Sequence, residues 1–240
     1  MITAKPYISP LSKAFNWVVT LVLPVFLILS AVRLLINPWF IELEYRTPGF
    51  PADQYGLSFA QRLDLSRQTI EYLRKDYEIS YLRELRFPEG QAVPEFSCQF
   101  MDDCTRLYNE RELEHMLDVK SLVEIVTVIW WACLGLLALA GLVLWRGRNR
   151  PVLAGALRAG GRLTVFLTGA VILFALAAFG IIFVAFHQVF FDSGTWTFYY
   201  TDTLIRLYPE RFWRDTFLWV AGLPALAGAL LGFWGGRKKG

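Results

Sequence analysis

Val119-Lys-Ser-Leu-Val-Glu-Ile-Val-Thr-Val-Ile-Trp-Trp-Ala-Cys-Leu-Gly-Leu-Leu-Ala-Leu-Ala-Gly-Leu-Val-Leu-Trp145 does not fit inside a small water-soluble domain. Its last 21 residues, Ile125–Trp145, carry no charge, and roughly 18–20 apolar residues suffice to cross hydrocarbon. Three further runs have the same character: about Phe15–Ile36, Leu163–Phe186 and Phe217–Trp234. The whole chain is 55% hydrophobic with a mean hydropathy of +0.39, beyond the range of an ordinary soluble domain. The first run follows a short N-terminus holding Lys5 and Lys13, with no small-residue cleavage motif behind it. It reads as an uncleaved signal anchor.

Basic residues orient the spans, because arginine clusters resist translocation. Residues 146–162 contain five arginines and no acid, and the tail ends Arg237-Lys-Lys239. Residues 37–117 hold nine basic and fifteen acidic side chains, a net −6. Both termini and 146–162 are therefore expected inside, with 37–117 and 188–216 outside. The fold class that follows is a mainly α integral membrane protein, a four-transmembrane-helix bundle with an extracytoplasmic cap, N-in/C-in. Its segments are 1–36 (inner terminus and first helix), 37–117 (cap), 118–145 (second helix), 146–162 (basic loop), 163–187 (third helix), 188–216 (outer aromatic loop) and 217–240 (fourth helix and tail). The sorted charge accounts for the overall +3, so no nucleic-acid footprint is present.

In the cap, Pro48-Gly-Phe-Pro51 reads as a turn. Ser58 and Gln61 form a capping box that opens a helix with Leu63, Ile70 and Leu73 on one face. Residues 77–87 read as a short strand or irregular segment stopped by Pro88-Glu-Gly90, and a helical pattern from about Thr105 runs into the second span. In the bundle, small residues recur at four-residue spacing (Ala221, Ala225 and Ala229; Gly228 and Gly232), while Gly169, Ala177 and Gly180 thin the third span. Such residues let helices approach closely in lipid. Pro24 and Pro224 are candidate kinks.

Only two histidines occur, His115 and His187, and both fall where a span meets the outer water. Two imidazoles at one depth, near the ester linkages of lipids, point to acyl chemistry at the membrane face. Glu112, His115 and Asp118 are three apart and share a helical stripe. Asp118 is the candidate orienter of His115, and Lys120 is placed to meet a lipid phosphate or a carbonyl oxygen. His115 reads equally as an interfacial anchor, and His187 alone as a boundary residue. No metal site is expected, because two imidazoles have no H-E-x-x-H or comparable partner spacing. Nine of the 24 residues 190–213 are aromatic, among them Phe190, Phe191, Trp196, Phe198 and Tyr200. They read as a belt at headgroup level or as the lining of a lipid pocket. Trp196-Thr-Phe-Tyr-Tyr200 alternates as a strand would.

Cys133 lies in the second span as a small apolar residue, whereas Cys98 and Cys104 fall in the outer segment, where oxidation is permitted. They are a candidate disulfide, or a catalytic dithiol lacking the C-x-x-C signature. No G-x-S-x-G elbow, Gly-rich phosphate loop or outer cysteine beside a histidine is present.

Tyr108-Asn-Glu-Arg-Glu-Leu-Glu-His-Met-Leu-Asp-Val-Lys120, Phe186-His187, Trp196 and Thr203-Leu-Ile-Arg-Leu-Tyr-Pro-Glu-Arg-Phe-Trp213 together resemble the bacterial lipoprotein intramolecular transacylases. Pro51-Ala-Asp-Gln-Tyr-Gly-Leu57 is similar to that family too. The resemblance covers nearly the whole chain, although the Cys98–Cys104 pair is no part of its pattern. It implies a plasma-membrane enzyme with its site at the extracytoplasmic face and no cofactor. The substrate would be a lipoprotein whose N-terminal cysteine carries a diacylglyceryl thioether and a free α-amine. The sn-2 acyl chain would move to that amine without an acyl-enzyme, giving the N-acyl, S-monoacylglyceryl (lyso) form. His115 and His187 would be the catalytic pair, with Glu112, Asp118 and Lys120 in support. Phe190, Phe191, Trp196, Phe198, Tyr200, Arg206 and Trp213 would line the pocket. His115 is the favoured base, since Asp118 would raise its basicity. Two competing readings are a membrane thiol–disulfide oxidoreductase using Cys98 and Cys104, and a non-enzymatic lipid-binding protein. Neither oligomeric state nor acyl-chain preference follows from the sequence.

Overall fold

The computed structural model describes residues 9–91, 93–146 and 149–233. Lys5, Arg148, Trp234 and the Arg237-Lys-Lys239 tail lie outside the described residues. Helices dominate, and the described residues contain no strand beyond an isolated bridge between Arg86 and Arg106. Residues 77–87, expected as a short strand or irregular segment, are irregular around a short helix, α4 (Ser80–Arg83), and end in that bridge rather than in a strand. Four helices are long and apolar enough to cross a membrane: α1 (Pro10–Leu35), α6 (Glu110–Arg146), α7 (Arg150–Ala177) and α10 (Glu210–Phe233).

The chain divides into two compact units. The first comprises Met1–Val32, Val126–Leu173 and Trp219–Gly240. Its buried centre is Val19, Ala140, Leu144 and Ala156, with Phe15, Leu137 and Val152 packed against it. Apolar side chains gain nothing by leaving lipid for one another, so backbone approach and polar contacts hold such helices together. A Cβ on Gly161 would stand 2.6 Å from the Gly228 carbonyl oxygen, and one on Gly228 would stand 2.7 Å from that of Gly161. The α7–α10 crossing therefore requires glycine on both sides. Gly169 and Gly180, in contrast, would admit a side chain freely, so only some of the small residues serve packing. The Trp130 indole donates to Ser30 Oγ at 2.8 Å, and Asn149 Nδ2 donates to Ser12 Oγ at 2.9 Å.

α7 starts at Arg150, inside what the charge pattern reads as the loop 146–162. Arg, Ala and Leu are good helix formers, and proline is tolerated in a first turn, so the arginines continue the helix rather than delay it. Arg150 also lies over the Trp145 ring at 4.2 Å. The expected single span 163–187 is interrupted at Ala178 (φ −153, ψ 54), beyond which α8 (Phe179–Phe190) begins.

The second unit comprises Arg33–Ile125 and Phe174–Leu218. It holds α2 (Pro38–Tyr45), α3 (Phe59–Arg74), α4, α5 (Glu95–Cys98), the first turns of α6, α8, α9 (Thr203–Leu207) and the start of α10. Pro38 opens α2 at a position where no amide is needed. Both bonds of the Ser58–Gln61 capping box open α3 as the sequence predicts, and Leu63 and Ile70 are buried with Tyr72. A buried polar seam runs through this unit. Arg206 grips Asp53 with Nε (2.9 Å) and NH2 (3.0 Å), both side chains being 1% exposed. Asp53 also accepts the amides of Tyr55 and Leu57, which folds the turn through Gly56 (φ 95). Arg62 donates to the carbonyls of Pro51 and Arg206. Tyr45 donates to Leu207 O, and Tyr208 to Ser66 O.

Candidate active site

The first turn of α6 is fixed by a reciprocal pair of hydrogen bonds. Asn109 Oδ1 accepts the Glu112 amide (3.0 Å), and Glu112 Oε2 accepts the Asn109 amide (2.9 Å). This satisfies two donors that a helix start leaves orphaned. The other Glu112 oxygen accepts the Leu204 amide at 2.7 Å, tying α9 to the same turn. Asp202 extends the clamp, accepting from Asn109 Nδ2, Arg111 NH2 and the Tyr199 amide. One turn on from this clamp comes His115.

α8 carries His187. The two rings face each other nearly parallel, 21° apart in plane and 6.2 Å between centroids. They are 8% and 7% exposed. Phe191 lies 4.9 Å and Phe198 5.3 Å from His115, while Trp196 lies 4.9 Å and Phe183 4.1 Å from His187. His187 Nδ1 is 2.7 Å from the Phe183 carbonyl oxygen. A carbonyl can only accept, so Nδ1 carries the hydrogen and Nε2 keeps its lone pair. His115 Nδ1 is buried without a partner, as is Trp196 Nε1. Such a pair can take a proton from one reacting atom and give one to another within a dry aromatic enclosure. Among the described residues no group of three or more His, Cys, Asp or Glu is gathered as metal ligands would be.

The other residues singled out from the sequence divide. Phe191, Trp196 and Phe198 surround the histidines. Trp213 stands one ring away, 6.4 Å from Phe183. Glu112 caps the helix, each of its oxygens accepting a backbone amide. Asp118 is exposed, and no described hydrogen bond or ion pair joins it to His115, so it does not orient that ring. Lys120 donates to the carbonyls of Lys75 and Tyr77 and lies over the Tyr72 ring, which leaves it anchoring α6 instead of awaiting lipid. Phe190 is half exposed and meets Phe186. Tyr200 is 85% exposed. Arg206 belongs to the Asp53 pair. Residues 196–200 form no strand. Trp196 and Phe198 keep the alternation, but a turn bonded from the Asp202 amide to Tyr199 O sends Tyr200 elsewhere. Two partners were missed by sequence reasoning: Asp202 and the Phe183 carbonyl. Phe183, four residues before His187, was accessible from helical spacing alone.

Cys98 and Cys104 are joined as a disulfide. It staples the segment whose Phe96 and Phe100 pack on Tyr199 at 4.8 and 5.9 Å. Neither sulfur touches a histidine. Replacing both cysteines with serine is therefore expected to lower stability by about 2 kcal/mol through loop closure while product formation continues, as thermal unfolding and product assays on the same preparation will register.

The family model for the lipoprotein intramolecular transacylase Lit matches residues 17–213. This chain belongs to the Lit family. It is accordingly a multi-pass membrane acyltransferase that carries out lipoprotein intramolecular transacylation, which sets aside the oxidoreductase and non-enzymatic readings. An uncharacterized protein of Aquifex aeolicus is 28% identical over 235 residues, 94% of this chain and 96% of that one. The integral membrane Lit of Bacillus cereus shares the fold at a TM-score of 0.70 with 18% identity, covering 92% of each chain. A histidine-to-alanine variant of that protein matches at 0.66 with 17% identity, covering 92% of this chain and 90% of that one.

Proposed function

We propose that this Lit protein moves the sn-2 acyl chain of a diacylglyceryl-cysteine lipoprotein to the cysteine's own α-amine, by acid–base catalysis between His187 and His115. The observation that carries this reading is the facing, buried ring pair with one tautomer fixed. His187, its Nδ1–H held by Phe183, offers Nε2 as the base that takes the amine proton as nitrogen attacks the ester carbonyl. This reverses the preference for His115 as base, which rested on Asp118. His115 carries that same proton on to the departing glycerol oxygen. The new C–N bond replaces the C–O bond, one proton passes in net from amine to glycerol, and both rings end as they began. Donor and acceptor share a molecule, so positioning supplies much of the rate and no nucleophile on the enzyme is needed. The arginine-rich 146–162 segment supports an inside location for it, hence an extracytoplasmic site in a bacterial plasma membrane. Mass spectrometry of lipoprotein N-terminal peptides from cells with and without the protein tests this reading. Lyso-form peptides should appear only with it; identical peptides in both would sink the proposal.

A further inference from the structure

Two buried polar atoms at the histidine pair have no partner, His115 Nδ1 on one of its rings and Trp196 Nε1 beside it. The mechanism above uses histidine but leaves the indole idle. An N–H withdrawn from water and given nothing to bond is costly, and native structures keep such groups sparingly. Here the idle donor sits on a ring packed 4.9 Å from His187. A base that takes the amine proton during attack lies within one hydrogen bond of the nitrogen, and that nitrogen is bonding to the carbonyl carbon. Negative charge then collects on the carbonyl oxygen, two bonds from the attacking nitrogen. A donor one ring away from the base is in reach of it.

We propose that Trp196 Nε1–H is the oxyanion donor of this Lit site, hydrogen-bonding the acyl carbonyl oxygen as the tetrahedral intermediate forms. The inference rests on the acid–base reading of the histidines. The clamp on the Tyr199 amide by Asp202 holds the 196–200 segment in place, so the donor is set before reaction and needs no reorganisation. Trp196 brings an N–H without a charge, which suits an aromatic enclosure where an arginine or lysine would be costly to bury.

Trp196→Phe keeps an aromatic ring and removes the donor. The full-length protein should lose about 10²-fold in kcat, with KM changed by no more than about twofold. Two ligands then separate electrostatics from packing: a lipopeptide with a phosphonate in place of the sn-2 ester, mimicking the oxyanion, and a diacyl lipopeptide whose α-amine is acetylated. Trp196→Phe should weaken the phosphonate by about tenfold or more and leave the acetylated ligand unchanged. Unchanged phosphonate affinity, or equal weakening of both ligands, overturns the proposal, as does wild-type kcat. His187→Asn run in parallel keeps the two ideas apart. If it retains wild-type turnover the acid–base reading fails, while the phosphonate comparison still decides the indole.

Discussion

His187→Asn is expected to reduce lyso-form product by about 10²-fold or more, on the scale of general acid–base catalysis. Asparagine keeps a side chain of hydrogen-bonding character at the end of α8 but offers no nitrogen able to take a proton. The lost bond to Phe183 lies within one helix, so the folded protein should persist, and circular dichroism and detergent-phase elution should match the parent. His115→Asn should fall by a similar factor for the opposite proton transfer. Asp118→Asn is the informative contrast. Asp118 is exposed and without a described bond to His115, so its variant should stay close to wild type. Substantial loss there would return the orienting role to Asp118 and weaken the assignment of His187 as base.

Asp53→Asn should be the most destabilising polar substitution in the cap unit, by about 3–5 kcal/mol, because it strands a buried guanidinium. Arg206 already has an unpartnered NH1, and its Nε and NH2 both depend on Asp53. Burial acts to raise the Asp53 carboxyl, but the bonds from Arg206 and from the Leu57 and Tyr55 amides outweigh it and hold the carboxyl below its usual value. The folded carboxyl is therefore the stronger acid. Its contribution to stability is complete above the unfolded carboxylate range and is lost as pH falls through the folded value. Thermal unfolding followed from neutral to acid pH should show this loss in the parent and a flatter profile in Asp53→Asn. Parallel profiles would remove the pair from the acid response.

Most of the architecture was legible because hydrocarbon is an undemanding reader: length, charge and apolar run suffice to find four spans. Where competing forces were local, the sequence misled. Arg150, Arg158 and Arg162 read as a loop by charge, yet they stand on α7 since helix propensity is indifferent to that charge. The break at Ala178 has no glycine or proline at that residue to announce it. At the site, two lone histidines were legible from their position alone. Their neighbours were less so, because a helical stripe places Glu112 and Asp118 near His115 without saying which way each bond goes. Glu112 turned to the amides of Asn109 and Leu204, and Asp118 turned to the outside. The aromatic segment kept its alternation for Trp196 and Phe198 and lost it at Tyr200, where the Tyr199–Asp202 turn redirects the chain.

Transfer within a single substrate molecule can be measured directly. Diacylglyceryl lipopeptides bearing heavy-isotope acyl chains and a distinguishable peptide are mixed with unlabelled ones, and the purified protein converts the mixture. Mass spectrometry of the products should find each N-acyl group on the peptide that brought it, with no crossover at any substrate concentration, and an α-acetylated lipopeptide should neither accept nor donate. Heavy acyl chains on light peptides, in proportion to mixing, would contradict the account and mean intermolecular transfer, either directly between two substrates or through an acyl-enzyme, for which Ser193 and Thr195 are the nearest hydroxyls after His187.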